Sequence, residues 1–564
     1  MFLDFMSEVE ALLQSGLERC GFVVEDGVNN LGLGSSPHAD LASSVSFRLA
    51  PVLRKSPAAI AAEIHKALPE ERNFVDRVEL VGPYLNFFVN RRFLGIVLRE
   101  ALSNAAWKGR MSQKVIVEHT SANPDGPLHV GHIRNSVIGD TLVRILRRAG
   151  CSVDAQYYVN DMGRQEAMVV VGQRHFPLED IKADHAIAKV YIAANKAMQE
   201  SDEAKARIKG EADSVIQRYE AGDPEVSAEI RKAAEYAIAG IEETLHRMNI
   251  RHDSYHWESE FVRNGDVQRI IQELEKTGLT EWEDGAFQLD LSSFGFDKKM
   301  VLRRGDGTSL YITRDLAYHR WKAQNSDRMV DILGADHKLI SSQLSTALRL
   351  IGIREPEIVI FEFVSLPTGS MSTRRGKFIS ADELLDEVEK QAFEEVSLRR
   401  SEESEDFRKE VARHVATGAV RYDVVKVSAD KATTFDWKQA LDFEKLSAPF
   451  IQYSHARACS ILRKAGEIGQ FDPDQLTGES EVALIKKIAE FDMVIERAAR
   501  ELKPHQLATY ARELAEIFNL FYRYSPVLDA PADQKNARLA LVEASRNCLR
   551  VTLETLGIPA LETM

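Results

Sequence analysis

Hydrophobic residues recur at helical and strand-like spacings in the first part of the chain. Apolar residues three and four positions apart between residues 9 and 17 predict an amphipathic helix. Two apolar runs at residues 78–81 and 84–89 predict strands, and the Gly82-Pro83 pair between them predicts the turn of a β-hairpin. Residues 1–110 are therefore predicted to form a small α/β domain.

After residue 110 the pattern changes to alternating strands and helices. A buried strand is predicted at residues 115–117, a loop rich in proline and glycine at 119–130, a long helix at 131–149 and a second strand at 153–159. This order is typical of parallel nucleotide-binding sheets. Further strands are predicted at 286–291, 300–302, 309–313, 329–333 and 358–361. We therefore expect a Rossmann-like parallel-sheet domain at residues 111–380.

The remaining segments have helical periodicity. Residues 180–255 are polar and highly charged, which is typical of solvated helices, and we interpret them as an insertion in the sheet domain. Residues 381–445 are predicted to be a helical connecting segment, apart from loop-like positions near 428–436. Residues 446–564 are predicted to form an all-α domain of their own.

Composition restricts the possible classes of protein. The 564 residues, 44% of them hydrophobic, suffice for several packed domains. The net charge of −14 argues against a generally cationic nucleic-acid binder, although local basic faces remain possible. Four scattered cysteines without a C-x-x-C pair fit a reducing compartment. No signal peptide or membrane span is predicted, so we expect a cytoplasmic protein.

The strongest chemical signal is the run from Pro127 to Asn135, between the first strand of the sheet and its helix. His129 and His132 face the same way on one helical turn, and Gly131 allows a ligand to approach the backbone. A helix N-terminus with two imidazoles suits a polyphosphate. A metal site or a structural histidine pair is the alternative, but H-E-x-x-H is not matched. The P-loop pattern is absent as well.

A second signal is the basic, glycine-bracketed run at residues 367–377. Arg374, Arg375 and Lys377 could close over a phosphate, whereas the plainer alternative is a solvated basic turn.

In this order the two signals resemble the signatures of class I aminoacyl-tRNA synthetases. His129-Val130-Gly131-His132 resembles H-I-G-H, and Ser370-Met371-Ser372-Thr373-Arg374 resembles K-M-S-K-S. The chain is similar to the arginyl-tRNA synthetases in particular, through residues 118–124, 157–165, 311–319 and 334–337. Residues 38–42 and 82–89 resemble that family's N-terminal tRNA-binding domain, and residues 451–457 resemble the start of its helical anticodon-binding domain.

The resemblance implies a ligase that joins L-arginine to tRNA(Arg) with ATP, that brings in Mg²⁺ with the ATP, and that needs tRNA for the activation step. It implies catalytic roles for His129, His132, Arg374, Arg375 and Lys377, and ATP binding by His129, Gly131, His132, Met371 and Ser372. It implies arginine binding by Glu118, Asn123, Tyr311, Asp315 and His337, with no metal ligands in the protein.

The residues alone leave the arginine pocket open. Glu118 ends an apolar strand, where a carboxylate is costly unless it is paired. Asp315 lies one turn after Tyr311, so both can face one cleft, but Asp315 could instead form a salt bridge with Arg314 or Arg320.

The resemblance has one departure, in the second signature. The family's signature contains lysines, and neither Ser370 nor Thr373 replaces them. Which of the basic residues that follow contacts the phosphates is therefore open.

The last domain contains basic and aromatic residues that could form a tRNA-binding surface. We expect tRNA to use the cations Arg457, Arg463, Lys464, Arg497, Arg500 and Lys503. The aromatic residues Tyr453, Tyr510, Phe518 and Tyr522 could stack on unpaired bases, but helix-bundle core is the better prediction for most of them.

Three alternative functions remain. The first is a synthetase for another amino acid, against which the two carboxylates argue. The second is an adenylate-forming ligase with a small-molecule acceptor, which leaves the helical domain without a purpose. The third is a non-catalytic RNA-binding paralogue, which is disfavoured because His129, His132, Glu118 and Asp315 are all present. A monomer is expected.

Overall fold

A small antiparallel sheet and its helices form the first part of the protein. The computed structural model describes residues 1–24, 31–103, 107–305, 307–365, 380–444 and 447–564. The first elements are α1 (Phe2–Cys20), β1 (Leu33–Ser36), β2 (Ala39–Ser43), α2 (Val45–Leu53), α3 (Pro57–Ala67), β3 (Val75–Val81), β4 (Tyr84–Val89) and α4 (Arg91–Ala101). The sheet order is β1-β2-β4-β3, and the predicted hairpin is confirmed as the β3–β4 pair.

The middle of the chain begins with the predicted strand–helix–strand unit and continues into a helical insertion. Its elements are β5 (Lys114–Glu118), α5 (Val130–Arg148), β6 (Ser152–Val159), α6 (Arg164–His175), α7 (Ala183–Ala197), α8 (Asp202–Glu220), α9 (Pro224–Arg247), β7 (Ser254–Trp257), α10 (Glu258–Arg263) and α11 (Asp266–Glu275). The helices α6–α9 are therefore inserted in the chain between β6 and β7, which pair directly with each other in one sheet.

The second half of this region adds a small antiparallel sheet and the remaining parallel strands. Its elements are β8 (Thr280–Glu283), β9 (Ala286–Leu289), β10 (Met300–Arg304), α12 (Tyr311–Asn325), β11 (Arg328–Gly334), α13 (Lys338–Leu350), β12 (Glu357–Phe361) and β13 (Val364–Ser365). The main sheet is all-parallel in the order β12-β11-β5-β6-β7. The predicted Rossmann-like class is thus confirmed.

The strand predicted at residues 309–313 is wrong. Ser309 makes only an isolated bridge with Arg303, and α12 begins at Tyr311. The local run is apolar enough for a strand. However, Ile312 and Leu316 lie four positions apart and are both buried in one hydrophobic cluster, so packing at helical spacing prevails over local propensity.

The last part is helical, as predicted. It contains α14 (Ala381–Arg399), α15 (Glu405–Val425), β14 (Thr433–Thr434), α16 (Trp437–Ala440), α17 (Ala448–Ala465), α18 (Glu479–Ala489), α19 (Phe491–Glu501), α20 (His505–Tyr524) and α21 (Ala532–Thr555). The two-residue strand β14 pairs in parallel with β13. Among the described helices, none has both the length and the apolar character that crossing a bilayer requires.

One continuous hydrophobic core joins the first and last parts of the chain. It runs from α1 and α4 through the parallel sheet to the C-terminal helices. Trp107 packs edge-on against Phe491, with 5.3 Å between ring centroids. Asn547 donates a hydrogen bond to the carbonyl of Ala101, and Lys486 pairs with Asp40 at 2.7 Å. The N-terminal sheet and the C-terminal helices therefore share one packed interface.

Candidate active site

A cavity of about 710 Å³ lies at the carboxyl ends of the neighbouring strands β5 and β11 of the parallel sheet. From β5 the chain order of the strands runs outward in both directions, so this is the switch point of the sheet. Strand β5 is followed in space by β6 on one side and by β11 on the other, and ligands bind outside the carboxyl ends of strands at such a point. The residues of the wall come from the ends of β5 and β11, the start of α5 and the β13 segment. They include Glu118, His129, Gly131, His132, Asn135, Asp336, His337, Phe363 and Ser365.

Two stacked imidazoles form the N-terminus of α5. The rings of His129 and His132 are 3.7 Å apart between centroids and nearly parallel. His129 Nδ1 accepts a hydrogen bond from the Gly131 N–H (3.1 Å), and the His129 N–H donates to His132 Nδ1 (3.2 Å). Because both Nδ1 atoms are acceptors, each neutral ring carries its proton on Nε2. A Cβ on Gly131 would lie 2.8 Å from the His129 ring, so a side chain there would displace that ring.

Burial keeps these two histidines neutral. It lowers the pKa of His129, and burial together with the neighbouring His129 lowers the pKa of His132 to about 3. The N-terminus of α5 therefore offers two neutral Nε2–H donors and a positive helix end, which together suit phosphoryl oxygens.

The backbone that leaves β5 adopts a left-handed conformation beside these histidines. Thr120 and Ser121 have φ values of 69° and 39°, which are unfavourable for residues other than glycine. Asn135 holds the turn, because its Oδ1 accepts from the Thr120 N–H (2.7 Å) while its Nδ2 donates to the carbonyl of Ile332 (2.9 Å). The strands β5 and β11 are thus cross-linked at the mouth of the cavity.

Glu118 lies in a buried ion network that the sequence did not reveal. Lys322, which is fully buried, contacts Glu118 Oε2 at 2.8 Å and Asp331 Oδ1 at 2.7 Å. His319 Nε2 contacts the other oxygen of Asp331 at 2.6 Å. Burial lowers the pKa of Lys322, but Asp331 and Glu118 outweigh it and hold the pKa above its ordinary value. One oxygen of Glu118 is therefore committed to Lys322, and the other accepts from Ser121 Oγ (3.1 Å).

Asp315 is a carboxyl group that has no side-chain partner among the described residues. Within the described part of the chain it has no ion pair, since Arg314 pairs with Glu258 (3.2 Å) and Arg320 with Glu273. The predicted alternative, an Asp315 salt bridge with Arg314 or Arg320, is thus contradicted. Burial raises the pKa of Asp315 well above its ordinary value, and Glu258 and Glu118 raise it further.

Glu258, at the end of β7, completes an acidic cluster. Its side chain is buried, and burial raises its pKa to about 7 although Arg314 opposes the shift. The Tyr158 hydroxyl is buried and has no hydrogen-bond partner within the part of the chain that the structure describes. Its pKa is raised by burial and then by the charges of Glu258 and Asp315. The described residues thus place more carboxylates than cations here, which favours a cationic ligand.

The structure brings together only some of the residues that the sequence suggested. Glu118, His129, Gly131, His132 and His337 lie on the wall of one cavity. Asp315 is not among the residues of that wall, but it is near enough to Glu118 and Glu258 for their charges to raise its pKa, and Tyr311 is 52% exposed at the start of α12. Asn123 donates a hydrogen bond to Gln165 Oε1 (3.0 Å) outside that wall. Met371, Ser372, Arg374, Arg375 and Lys377 lie outside the described residues.

Sequence reasoning missed Glu258 and Lys322. Glu258 follows a four-residue strand, β7, whose pattern is too short to predict. Lys322 lies on α12, one turn beyond Tyr318. Its place on the same buried face of the helix was the one sequence feature that could have indicated its burial.

A second depression, of about 760 Å³, lies among the C-terminal helices. Its wall includes Arg400, Tyr453, Arg457, Arg463, Lys464, Tyr522 and Arg523. The guanidinium carbon of Arg457 lies 4.8 Å from the Tyr453 ring and 4.9 Å from the Tyr522 ring. Of the four aromatic residues suggested by the sequence, Tyr510 and Phe518 are core, and Tyr453 and Tyr522 are exposed. Arg497 lines a different depression.

Three family models match successive parts of the chain. Residues 10–89 match the arginyl tRNA synthetase N terminal domain, residues 97–437 match the catalytic domain of the class I (R) tRNA synthetases, and residues 451–564 match the DALR anticodon binding domain.

Individual proteins match over nearly the full length. The arginine–tRNA ligase of Methanothrix thermoacetophila is 68% identical and that of Methanococcoides burtonii 52% identical, each over all of both chains. The structure of the Thermus thermophilus arginyl-tRNA synthetase is similar, with a TM-score of 0.86, 32% identity and 99% of both chains covered. That of the Plasmodium falciparum enzyme shares the fold, with a TM-score of 0.82, 16% identity and 99% of both chains covered. With its parallel sheet, histidine-capped helix and helical C-terminal domain, the chain belongs to the arginyl-tRNA synthetases of class I.

Proposed function

We propose that the chain activates L-arginine with ATP and transfers the arginyl group to the 3′ end of tRNA(Arg). A carboxylate oxygen of arginine attacks the α-phosphorus of ATP, the bond to the β-phosphate breaks, and arginyl-adenylate and pyrophosphate result. A terminal ribose hydroxyl of tRNA then attacks the arginyl carbonyl and AMP leaves. The observation that carries the choice of amino acid is the unpaired Asp315 carboxyl beside Glu118 and Glu258.

The guanidinium end of the substrate is assigned to this acidic cluster. A guanidinium has five N–H donors in a planar fork and needs several acceptors. Asp315 is proposed to supply the free carboxylate and Glu118 the oxygen that Lys322 leaves available. Tyr311 and Glu258 are proposed to border the pocket. Asn123 and His337 are proposed for the amino and carboxylate end of arginine.

The triphosphate end is assigned to the start of α5. His129 and His132 donate from Nε2 to phosphoryl oxygens and to the charge that develops on the leaving pyrophosphate, and Gly131 lets the nucleotide approach. Met371 and Ser372 are proposed to contact ATP, and Arg374, Arg375 and Lys377 to neutralise the phosphates; these five positions lie outside the described residues.

We propose that Mg²⁺ enters bound to ATP rather than at a protein site. Two clusters of the described residues have metal-like donors, Glu118–His319–Asp331 and Asp184–His185–Asp382. Each already contains a lysine ammonium, Lys322 in the first and Lys182 in the second. Neither fits a divalent cation in addition. When bound, Mg²⁺ would neutralise charge on the phosphates.

The exchange reaction tests the proposed function directly. ATP–pyrophosphate exchange is measured with each of the twenty amino acids, with and without total tRNA. Exchange with arginine alone, and only with tRNA present, is expected. Exchange with another amino acid would contradict the pocket assignment, and vigorous exchange without tRNA would contradict the tRNA requirement.

The pH dependence of arginine binding is expected to report Glu258. In the empty pocket Glu258 has a pKa of about 7, so below pH 7 it holds a proton that a cationic guanidinium must displace. The KM for arginine should therefore rise as pH falls below 7, by at most about tenfold per unit. In Glu258→Gln the KM should be higher, and its rise below pH 7 should be shallower than in the wild type; the slope that remains belongs to Asp315, whose pKa burial also raises. An unchanged slope in this variant would assign the titration to another group.

The C-terminal depression is proposed to hold unpaired nucleotides of the tRNA. Its cations attract the backbone, and Tyr453 and Tyr522 offer ring faces to bases. The tRNA requirement for activation is proposed to act through this contact and the acceptor end together.

Removing one of these rings should weaken tRNA binding. Tyr453→Ala is expected to raise the Kd for tRNA about tenfold, within the 1–3 kcal/mol of a base stacking on an aromatic ring. Filter binding at fixed salt measures the Kd. Tyr524→Ala is the control, because Tyr524 is 67% exposed on α20, the helix of Tyr522, but does not line the depression. Equal losses in the two variants would contradict the assignment.

The remaining proposals concern organisation. We propose domain limits at residues 1–110, 111–380, 381–445 and 446–564, which follow the changes of element pattern. A monomer is proposed, since residues of one chain line both the cavity and the depression. A cytoplasmic location is proposed, and the four free cysteines suit a reducing compartment.

A further inference from the structure

Arg134 is a fully buried cation in the helix that carries the two histidines. It lies two residues after His132. Its Nη1 donates to the carbonyls of Glu362 (2.6 Å) and Phe363 (3.2 Å). Its Nη2 donates to the carbonyls of Lys431 (2.7 Å), Ala429 (3.3 Å) and Ser428 (3.4 Å). All five acceptors are backbone oxygens, so each terminal nitrogen serves one of two chain segments.

These two segments contribute to the wall of the same cavity as the histidines. Phe363 and Ser365 from the first segment and Ala432 from the second line it together with Arg134 itself. Among the described residues the segments pair through two residues each, β13 with β14. They are also joined by a hydrogen bond from the Glu362 N–H to the Ala429 carbonyl (2.9 Å) and by one between Ser365 Oγ and Thr434 Oγ1 (2.8 Å). Such a short strand pairing is weak by itself. The hydrogen bonds of Arg134 connect both segments to α5.

We propose that Arg134 is a positioning residue for ATP, which fixes the distance between the histidine-bearing end of α5 and the wall segments at residues 362–365 and 428–432. The inference rests on the proposed function of the cavity. A displacement of about 1 Å in a reacting group can cost on the order of 100-fold in rate. Arg134 has no hydrogen bond to the guanidinium end of the pocket, which is built on β5, α10 and α12.

Only a planar fork satisfies this arrangement. The two terminal nitrogens of a guanidinium are held apart by its geometry, so one reaches residues 362–363 and the other residues 428–431. A lysine has one nitrogen and can hold one segment at a time. Arg134→Lys therefore keeps the charge and removes the bridge.

The test compares Arg134→Lys with a matched buried arginine. Arg421 is also fully buried, and it donates to the carbonyls of Leu556 and Met248 (2.8 Å each) and to Asp140 (2.5 Å), with no bond to the cavity wall. Arg421→Lys is the control. Tm and the KM values for ATP and for arginine are measured for the full chain by tRNA-dependent pyrophosphate exchange.

Arg134→Lys is expected to raise the KM for ATP about tenfold, with the KM for arginine within twofold of wild type. Arg421→Lys should lower Tm and leave both KM values within twofold. The inference fails if Arg134→Lys changes neither KM, changes both equally, or gives the same split as Arg421→Lys. If Arg134→Lys does not fold, Arg134→Gln is measured in its place. If neither Arg134 variant folds while Arg421→Lys does, the role of Arg134 is structural and the proposal is wrong. Wild-type protein inactive with arginine would instead contradict the proposed function.

Discussion

Asp315→Asn is expected to lower kcat/KM for arginine about 1,000-fold in tRNA-dependent pyrophosphate exchange. The substitution keeps the shape of the side chain and removes the one carboxylate of the cluster that has no partner among the described residues. Losing one member of a buried charge pair costs about 2–5 kcal/mol, and about 4 kcal/mol corresponds to three powers of ten. The KM for ATP should stay within threefold.

The same variant should fold at least as stably as the wild type. Burial and the nearby Glu258 and Glu118 make the charge of Asp315 unfavourable in the empty pocket, so neutralising it removes strain from the free protein. Asp336→Asn is the control, because Asp336 is an exposed carboxylate on the same cavity. An Asp315→Asn enzyme with a wild-type KM for arginine would contradict the pocket.

His132→Asn is expected to lower kcat for pyrophosphate exchange by about 100- to 1,000-fold with little change in the KM for arginine. Asparagine can still accept the His129 N–H in place of Nδ1, but it has no group at the position of the Nε2–H donor. Removing one donor aimed at developing charge costs about 2.7–4 kcal/mol.

His132→Gln distinguishes the donor from the ring itself. The longer amide places an N–H near the position of Nε2, so we expect it to recover about tenfold of the loss. Equal losses for asparagine and glutamine would show that stacking on His129, with 3.7 Å between ring centroids, matters more than the hydrogen bond. Rates are to be measured at saturating ATP and tRNA.

Local patterns predicted the elements that hold the nucleotide end of the cavity. The β5–α5–β6 unit and the β3–β4 hairpin were predicted because each is specified by its own apolar spacing and turn residues. The position of His129 and His132 at a helix N-terminus follows from the same short stretch. Tyr311 was placed in a strand because its helix is specified by packing with distant residues.

The amino-acid end of the cavity could be predicted only in part. Lys322 is 204 positions from Glu118, and a single sequence contains no signal for that pairing. Glu258 becomes notable only once β7 is placed beside β6. The role of Arg134 could not be predicted for another reason. Its hydrogen-bond acceptors are backbone carbonyls, and these have no signature in the sequence.

The shared interface between α4 and the C-terminal helices has a consequence for biosynthesis. A ribosome makes residues 91–101 long before residues 479–555, at about 5–20 residues per second, so the gap is on the order of 20–90 s. During that time the face of α4 that packs against α18 and α21 in the finished protein, near Ala101, has no covering helix. The nascent N-terminal domain therefore exposes an apolar patch that can aggregate. We expect the yield of folded protein in cells to depend on holdase chaperones, even if the finished protein is stable.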